Sequence, residues 1–398
     1  MGFKKLFGFG EKEKKHYGKE MFGERHVAYH KVGQPQWTPR RYENLVKEGF
    51  CRNVIVYRVV TMIAKSVGSI PLQAQENTSP LLEKPNPIQD WAHFIEDLVS
   101  SYLLSGNGYV SFVTHKNGAV AEMYVLRPDR VKVQPGAGSV PSGYLYEVGN
   151  HKKVFPVDAL TGRSQILHMK TIHPLNDWYG LSPIEAAAQA IDQHNAVSGH
   201  NLALLQNGGR PSGALIVDTQ LTHLSDEQRQ ELREGINALF TGGQNAGRPL
   251  ILEGAFKWQE MGLTPKDLDF IDGKKMSGRE IAQAFGVPPM LVGIPGEATF
   301  ANFREARFHL WEETILPLAT KLLGSLSQWL VAEGALSSPL AFDLDQIQAL
   351  QPKRDALWAR ISNSTFLTDN EKRALLGFPP IADQLANEVV TTEQGERP

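Results

Sequence analysis

A chain of 398 residues exceeds what one ordinary hydrophobic core organises, and 41% hydrophobic with 21% charged residues gives it material for two or three folded units. A formal net charge of −2 argues against a protein built to grip duplex DNA, because such affinity comes largely from phosphate neutralisation by clustered Lys and Arg. The single cysteine, Cys51, excludes an internal disulfide and a Cys-rich metal centre, and its setting predicts a small, buried, apolar residue in a helix.

Residues 1–25 carry Lys4, Lys5, Lys12, Lys14 and Lys15 among glycines, the composition of a disordered basic tail. They contain no apolar h-region or small-residue cleavage site, and no stretch approaches the roughly 20 apolar residues that cross a bilayer. Neither secretion nor a membrane span is expected.

From Arg52 to Val67 the spacing of Ile55, Val59, Ile63 and Val67 predicts a helix, ended by Ser69-Ile70-Pro71. A second helix is predicted from Gln89 to Leu104, closed by Gly106-Asn107-Gly108. The period then alternates: Tyr109 to Thr114 and Ala119 to Leu126 flank Asn117-Gly118, a hairpin signal. Further strands are expected at 130–134, 144–148 and 166–170, so that residues 40 to 181 read as an α+β domain.

Ser182-Pro183-Ile184-Glu185 is a capping box with proline at the first helical position. The helix it starts runs about 24 residues, a rod of roughly 36 Å, and carries no Lys or Arg. A small α/β insert follows, with a strand at 213–217, a helix begun by Ser225-Asp226-Glu227-Gln228, and strands near 250–252 and 256–259. Thr264-Pro265 opens another helix that stops at Phe285-Gly286 before Pro288-Pro289. The segment "VPPMLVGIPGEATFANFREA" makes a constrained loop, and helical spacing resumes at Phe303 for about seven turns, with a kink expected at Pro317. A short helix is expected from Thr368 to Leu376.

No catalytic constellation emerges. The glycine-rich stretch from Gly242 to Pro249 lacks the Lys and Ser/Thr of a phosphate-binding loop and reads as a hairpin turn. Asp267, Asp269 and Asp272 resemble a calcium loop until Ile271 replaces an oxygen ligand. His309 and Glu313 form an ordinary i,i+4 pair without the further ligands that zinc needs. His168, His173 and His194 are expected to be structural, and Trp178-Tyr179 suits either an interface or simple packing. No metal and no cofactor is expected.

The segments "YGLSPIEAAAQAI", "SGALIV", "LSDEQRQEL", "REIAQAFGVPPMLVGIPGEATFANFREARFHLWEETILPLATKL" and "LTDNEKRALLGFPPI" resemble, in this order, the portal proteins of tailed bacteriophages, the HK97-like family that includes gene transfer agent portals. The resemblance covers roughly residues 40 to 380. It implies an α+β portal-like fold: residues 26–181 as the N-terminal part of the wing, 182–209 and 264–287 as stem helices, and 210–263 as the clip between them. Residues 288–304 would form the tunnel loop, 305–352 the long helix of the wing, and 353–398 a small crown and tail.

By the same resemblance the chain would be a non-enzymatic ring component, a dodecamer at one capsid vertex of a virion or phage-like particle, conducting double-stranded DNA. Its partners would be the major capsid protein, the terminase large subunit and the head-completion adaptor, and it would assemble in the bacterial cytoplasm. Glu297, Ala298, Thr299, Phe300, Ala301 and Asn302 would line the channel at the loop, and Asp267, Asp269 and Asp272 are stem residues expected to face it. Asp226, Glu227, Arg229, Gln244, Asn245 and Arg248 would dock motor and adaptor. Two other readings remain at this point: a soluble enzyme acting on nucleic acid through the cluster from Asp267 to Asp272, and an adaptor ring.

Overall fold

The computed structural model describes residues 36–73, 79–136, 138, 140–206, 213–217, 225, 227, 230, 256–260, 270–294 and 300–381. The chain divides into two units between Trp37 and Thr38, and all the elements described belong to the second.

The fold is α+β. Helix α1 (Tyr42–Glu48) leads through a turn to α2 (Val54–Gly68), and the exposed Cys51 sits in that turn. The buried, helical setting expected for Cys51 is therefore wrong. Its neighbours Asn53 and Val54 start a helix rather than continue one, which leaves the thiol outside the core. Helix α2 is rich in β-branched residues that alone favour strands. Tertiary burial overrides that preference, because Val56, Val59, Val60 and Ile63 are fully covered.

Helix α3 (Trp91–Ser105) packs on α2. Asp90 caps its start by accepting from His93 N–H, and Gly106 ends it at φ 74°. Strand β1 (Asn107–Thr114) follows at once and is central in a three-stranded antiparallel sheet, between β2 (Val120–Leu126) and β6 (Ile166–Lys170). A second antiparallel sheet orders β3 (Val131–Gln134), β4 (Gly143–Val148) and β5 (His151–Pro156). Strand β5 was not foreseen. His151, Lys152 and Lys153 are the exposed part of an edge strand whose Phe155 is buried, and their charge hides it in the sequence.

The long capped helix divides into α4 (Pro183–Ala186) and α5 (Ala188–Gln206), with a turn at Ala187. Ser182 Oγ accepts from Glu185 N–H at 3.0 Å as expected, while a complete reciprocal capping box forms at Thr368 and Glu371. In the insert, β7 (Gly213–Val217) and β8 (Phe256–Glu260) pair antiparallel. The helix predicted from Ser225 and the strand near 250–252 fall largely outside the described residues.

Helix α6 (Phe270–Ala284) packs against α5 and α2. A 3-10 turn at Pro289–Val292 leads away from it, and α7 (Phe300–His309) is already helical at Phe300. The expected loop thus ends three residues early. No proline or glycine follows Gly296 to delay a helix, and the Phe-Ala-Asn-Phe-Arg-Glu run is compatible with one.

At Leu310–Ile315 the helix widens to π geometry before continuing as α8 (Leu316–Ala332). Leu316 N–H bonds to Trp311 O, an i to i−5 link, so the anomaly sits one turn ahead of Pro317, which has no N–H to donate. Helices α9 (Gln351–Ser362) and α10 (Asp369–Leu375) close the described chain.

By length and composition, Asn302–Ala332 is the one described helix able to cross a membrane. Its apolar side nonetheless belongs to the protein's own core: Ile315, Ala319, Leu322, Leu323, Leu326 and Leu330 are covered by α2, α3 and their neighbours. A smaller second core joins Tyr109, Val131, Val133, Tyr144, Phe155 and Ile166, with Trp178 and Tyr179 packed on it. Tyr179 Oη accepts from Val133 N–H at 2.9 Å, which assigns the Trp178-Tyr179 pair to packing.

Candidate functional site

The resemblance directs attention to the two bracketing helices, the loop after them, and the insert. Helices α5 and α6 lie side by side, joined by Ser277 Oγ to Gln193 Oε1 at 3.4 Å and by the rings of His200 and Phe270 at 4.6 Å. The buried Gly278 lets Ile294 approach, since a Cβ there would meet Ile294 Cδ1 at 3.0 Å. The start of the loop is thereby clamped to α6.

The end of α6 is fixed from the other side. Gly286 adopts φ 69°, a left-handed conformation that a side chain would strain, and Thr314 Oγ1 donates to its carbonyl at 2.7 Å. The π segment and the helix before the loop are therefore pinned together.

Helix α5 is held to the first helices by buried polar contacts. Asn53, 1% exposed, caps α2 by accepting from Ile55 and Val56 N–H at 3.0 and 3.2 Å. Its amide donates to His194 Nδ1 at 3.1 Å and to Asn195 Oδ1 at 3.0 Å, and Asn195 donates to Glu48 O at 2.8 Å. An amide N–H₂ offers only donors, so Nδ1 of His194 accepts and the ring is the neutral Nε2–H form. Burial, and secondarily the charge of Lys274, push the His194 pKa down. Thr38 adds a second clasp, with backbone N–H and hydroxyl both donating to Asp192 at 2.8 and 2.6 Å.

His168 is half-buried between Tyr109, stacked at 4.3 Å, and Tyr144, edge-on at 5.7 Å. It lies 3.0 Å from Asn107 Oδ1, which also accepts from Gly180 N–H. Burial depresses its pKa to about 3. His173 is a loop residue whose Nδ1 accepts from Leu175 N–H. His168 and His194 thus pack against neighbouring elements, and His173 shapes its own loop.

The residues proposed for the channel are only partly placed. Phe300, Ala301 and Asn302 belong to the first turn of α7, not to the loop, and Asn302 is exposed. Glu297, Ala298 and Thr299 lie outside the described residues, as do Asp267 and Asp269. Asp272 is exposed on α6 and paired with Lys275 at 2.8 Å. Lys274, Lys275 and Arg279 on the same helix offset its acids, so this helix is not the acidic face that the three aspartates alone suggested. Of the docking residues, Glu227 is exposed and accepts from Ser225 Oγ at 3.3 Å. Asp226, Arg229, Gln244, Asn245 and Arg248 lie outside the described residues.

Among the described residues no group of three or more His, Cys, Asp or Glu side chains is arranged to hold a metal. His309 lies 3.6 Å from Glu305 and 3.5 Å from Glu313 on one exposed helical face, an ordinary surface arrangement. What sequence reasoning missed is the clasp of Asn53, His194, Asn195 and Thr38. The one available signal was an Asn directly before an apolar helix.

Comparison with known proteins gives the same reading. The family model described as phage portal protein matches residues 54–377. A protein from Rickettsia bellii (strain RML369-C), described as uncharacterized, is 43% identical over 346 residues, covering 84% of this chain and 89% of its own. The portal protein of Enterobacteria phage HK97 is 24% identical and covers 82% of this chain and 78% of its own. A chain in the neck of a native GTA particle, computed with C12 symmetry, is similar with 45% identity and a TM-score of 0.67, covering 88% of this chain and 96% of that one. With the family model spanning most of its length and these relatives covering more than four fifths of it, the chain belongs to the phage portal protein family, in its HK97-like branch.

Proposed function

We propose that this protein closes into a ring of twelve at one vertex of a phage-like or gene transfer agent particle and conducts double-stranded DNA during packaging and release. The observation that carries the reading is the 45% identity, over 88% of the chain, to a subunit of a particle neck with C12 symmetry.

The physics of the stem agrees with passage rather than grip. Helices α4 and α5 carry no Lys or Arg, and the three cations of α6, Lys274, Lys275 and Arg279, are largely offset by Asp272 and Glu280, so the pair offers sliding phosphates little to bind. Ring closure requires different patches to meet head to tail around an axis, which a subunit with distinct flanks provides. In this proposal the insert between residues 210 and 263 docks the terminase large subunit and later the head-completion adaptor, the wing meets the major capsid protein, and the chain has no enzymatic role. Assembly takes place in the bacterial cytoplasm before the portal becomes part of the particle.

The test is deletion of the gene from a producing strain with complementation in trans. The proposal expects capsid-related particles without packaged DNA, restored by the wild-type chain. DNA-filled particles made without this chain would contradict it.

A further inference from the structure

The outward face of α2 exposes apolar and cationic side chains together. Val54 is 67% and Tyr57 52% exposed, with Arg58 and Lys65 further along the same face. Beside it, α7 presents Phe303, 46% exposed, and Arg307. Between the two helices lies a groove of about 480 Å3 with Arg58, Lys65 and Arg307 around a floor of Met62, Leu291 and Trp311. None of these three cations makes an ion pair among the described residues.

The opposite flank of the same helix has the opposite sign. Glu305 stands two residues from both Phe303 and Arg307, about 200° around a helix. His309 and Glu313 continue that flank, both exposed, with His309 in contact with both glutamates. One helix therefore carries a cationic, partly apolar side and an acidic side facing away from it.

We propose that the groove is one half of the subunit interface of the ring and that its occupant is the Glu305, His309 and Glu313 flank of the next copy of this chain. The inference rests on the ring reading given above and deepens it. A rotational ring needs two unlike, complementary patches on opposite sides of one subunit. The two sides of α7 meet that need in charge and position. Duplex DNA would satisfy the cations but would leave Val54, Tyr57 and Phe303 uncovered, because a phosphate backbone offers no apolar surface. The segment 382–398, with Asp383, Glu388, Glu393 and Glu396 against Arg397, is a further acidic stretch of the chain that could compete for the groove.

The experiment uses the purified full-length chain, with ring formation followed by mass photometry and folding by circular dichroism. Arg58→Glu with Arg307→Glu is expected to raise the concentration needed for ring formation at least tenfold without changing the far-ultraviolet spectrum. Adding Glu305→Arg and Glu313→Arg to the same chain is expected to restore rings. In a Cys51→Ser background, Lys65→Cys with Glu313→Cys is expected to give a ladder of disulfide-linked multimers under mild oxidation. That arm decides the question even if the charge reversal fails to fold.

Rings unchanged by the reversal, or cysteines linked only within one chain, would overturn the inference and leave the ring reading intact. Removal of residues 382–398 reproducing the effect of the reversal would assign the groove to that segment instead. Loss of duplex binding by the reversed chain, with rings unaffected, would assign it to DNA. A wild-type chain that stays monomeric at every concentration would sink the ring reading, and this inference with it.

Discussion

Asn53 and His194, 141 residues apart in sequence, meet at 3.1 Å where α2 begins against α5. Because Asn53 also caps α2 through its side-chain oxygen, one buried amide starts a helix and fixes the long helix beside it. Asn53→Ala removes the cap and leaves His194 and Asn195 without their donor. The expected loss is about 2 to 4 kcal/mol, the sum of a cap and a buried hydrogen bond, read by urea denaturation.

Asn53→Asp separates the two roles. A carboxylate still caps the helix but sets negative charge against the lone pair of His194 Nδ1. This variant is expected to lose about 2 kcal/mol near pH 8 and to regain part of it towards pH 6, as His194 accepts a proton to meet the new charge. A pH series of melting temperatures for both chains checks this; parallel curves would show that the two side chains do not interact.

The native histidines impose the reverse dependence. His168 and His194 both titrate below the ordinary histidine value in the folded chain, mainly because of burial. As pH falls the unfolded chain therefore takes up protons first. Their contribution is whole above about pH 6.5 and is lost as pH falls towards about 3, where His168 titrates. His168 alone implies roughly 2 kcal/mol lost by pH 5. His168→Gln is expected to flatten the decline of stability between pH 6.5 and 4, measured by denaturation at fixed pH.

Tyr109 Oη is buried and has no hydrogen-bond partner among the described residues. Its ring stacks on His168 and meets Tyr144 edge-on at 6.3 Å, so the ring is useful where the hydroxyl is not. Tyr109→Phe is expected to stabilise the fold by about 1 kcal/mol, since it removes an unmatched polar group and keeps the packing. Calorimetry decides the sign.

Much of this architecture is legible in residue patterns. The cap at Ser182, the glycine stop at Gly106, the Asn117-Gly118 hairpin and the stop at Gly286 are local signals, read within four or five residues and found where expected. The YGLSP glycine is different. Gly180 is needed because a Cβ there would lie 2.1 Å from the carbonyl oxygen of Gly106, a close approach between segments more than seventy residues apart that no local pattern encodes. The clasp at Asn53 and the cationic groove are absent from local patterns for the same reason: each gathers residues from distant helices. Strand β5 was missed because the charged, exposed residues of an edge strand look like a loop. The resemblance puts Phe300 to Asn302 in the loop, because regular apolar spacing is apparent only from Phe303.

The helical start at Phe300 sets the limits of a deletion in the loop. Deleting residues 297–302 would cut into the first turn of α7, whereas deleting 297–299 leaves that helix whole. The shorter deletion is expected to keep ring assembly and lower the yield of DNA-filled particles at least tenfold. Loss of folding on that deletion would show a core element in place of a channel lining.

The most direct test of the central claim is the electron cryo-microscopy image of the purified full-length chain or of the particle neck that contains it. A hollow ring is expected, with a pore of about 20 Å or more, wide enough for duplex, twelve copies in the particle, and α5 and α6 running along the channel. A monomer, or a closed assembly with no axial opening, would contradict it.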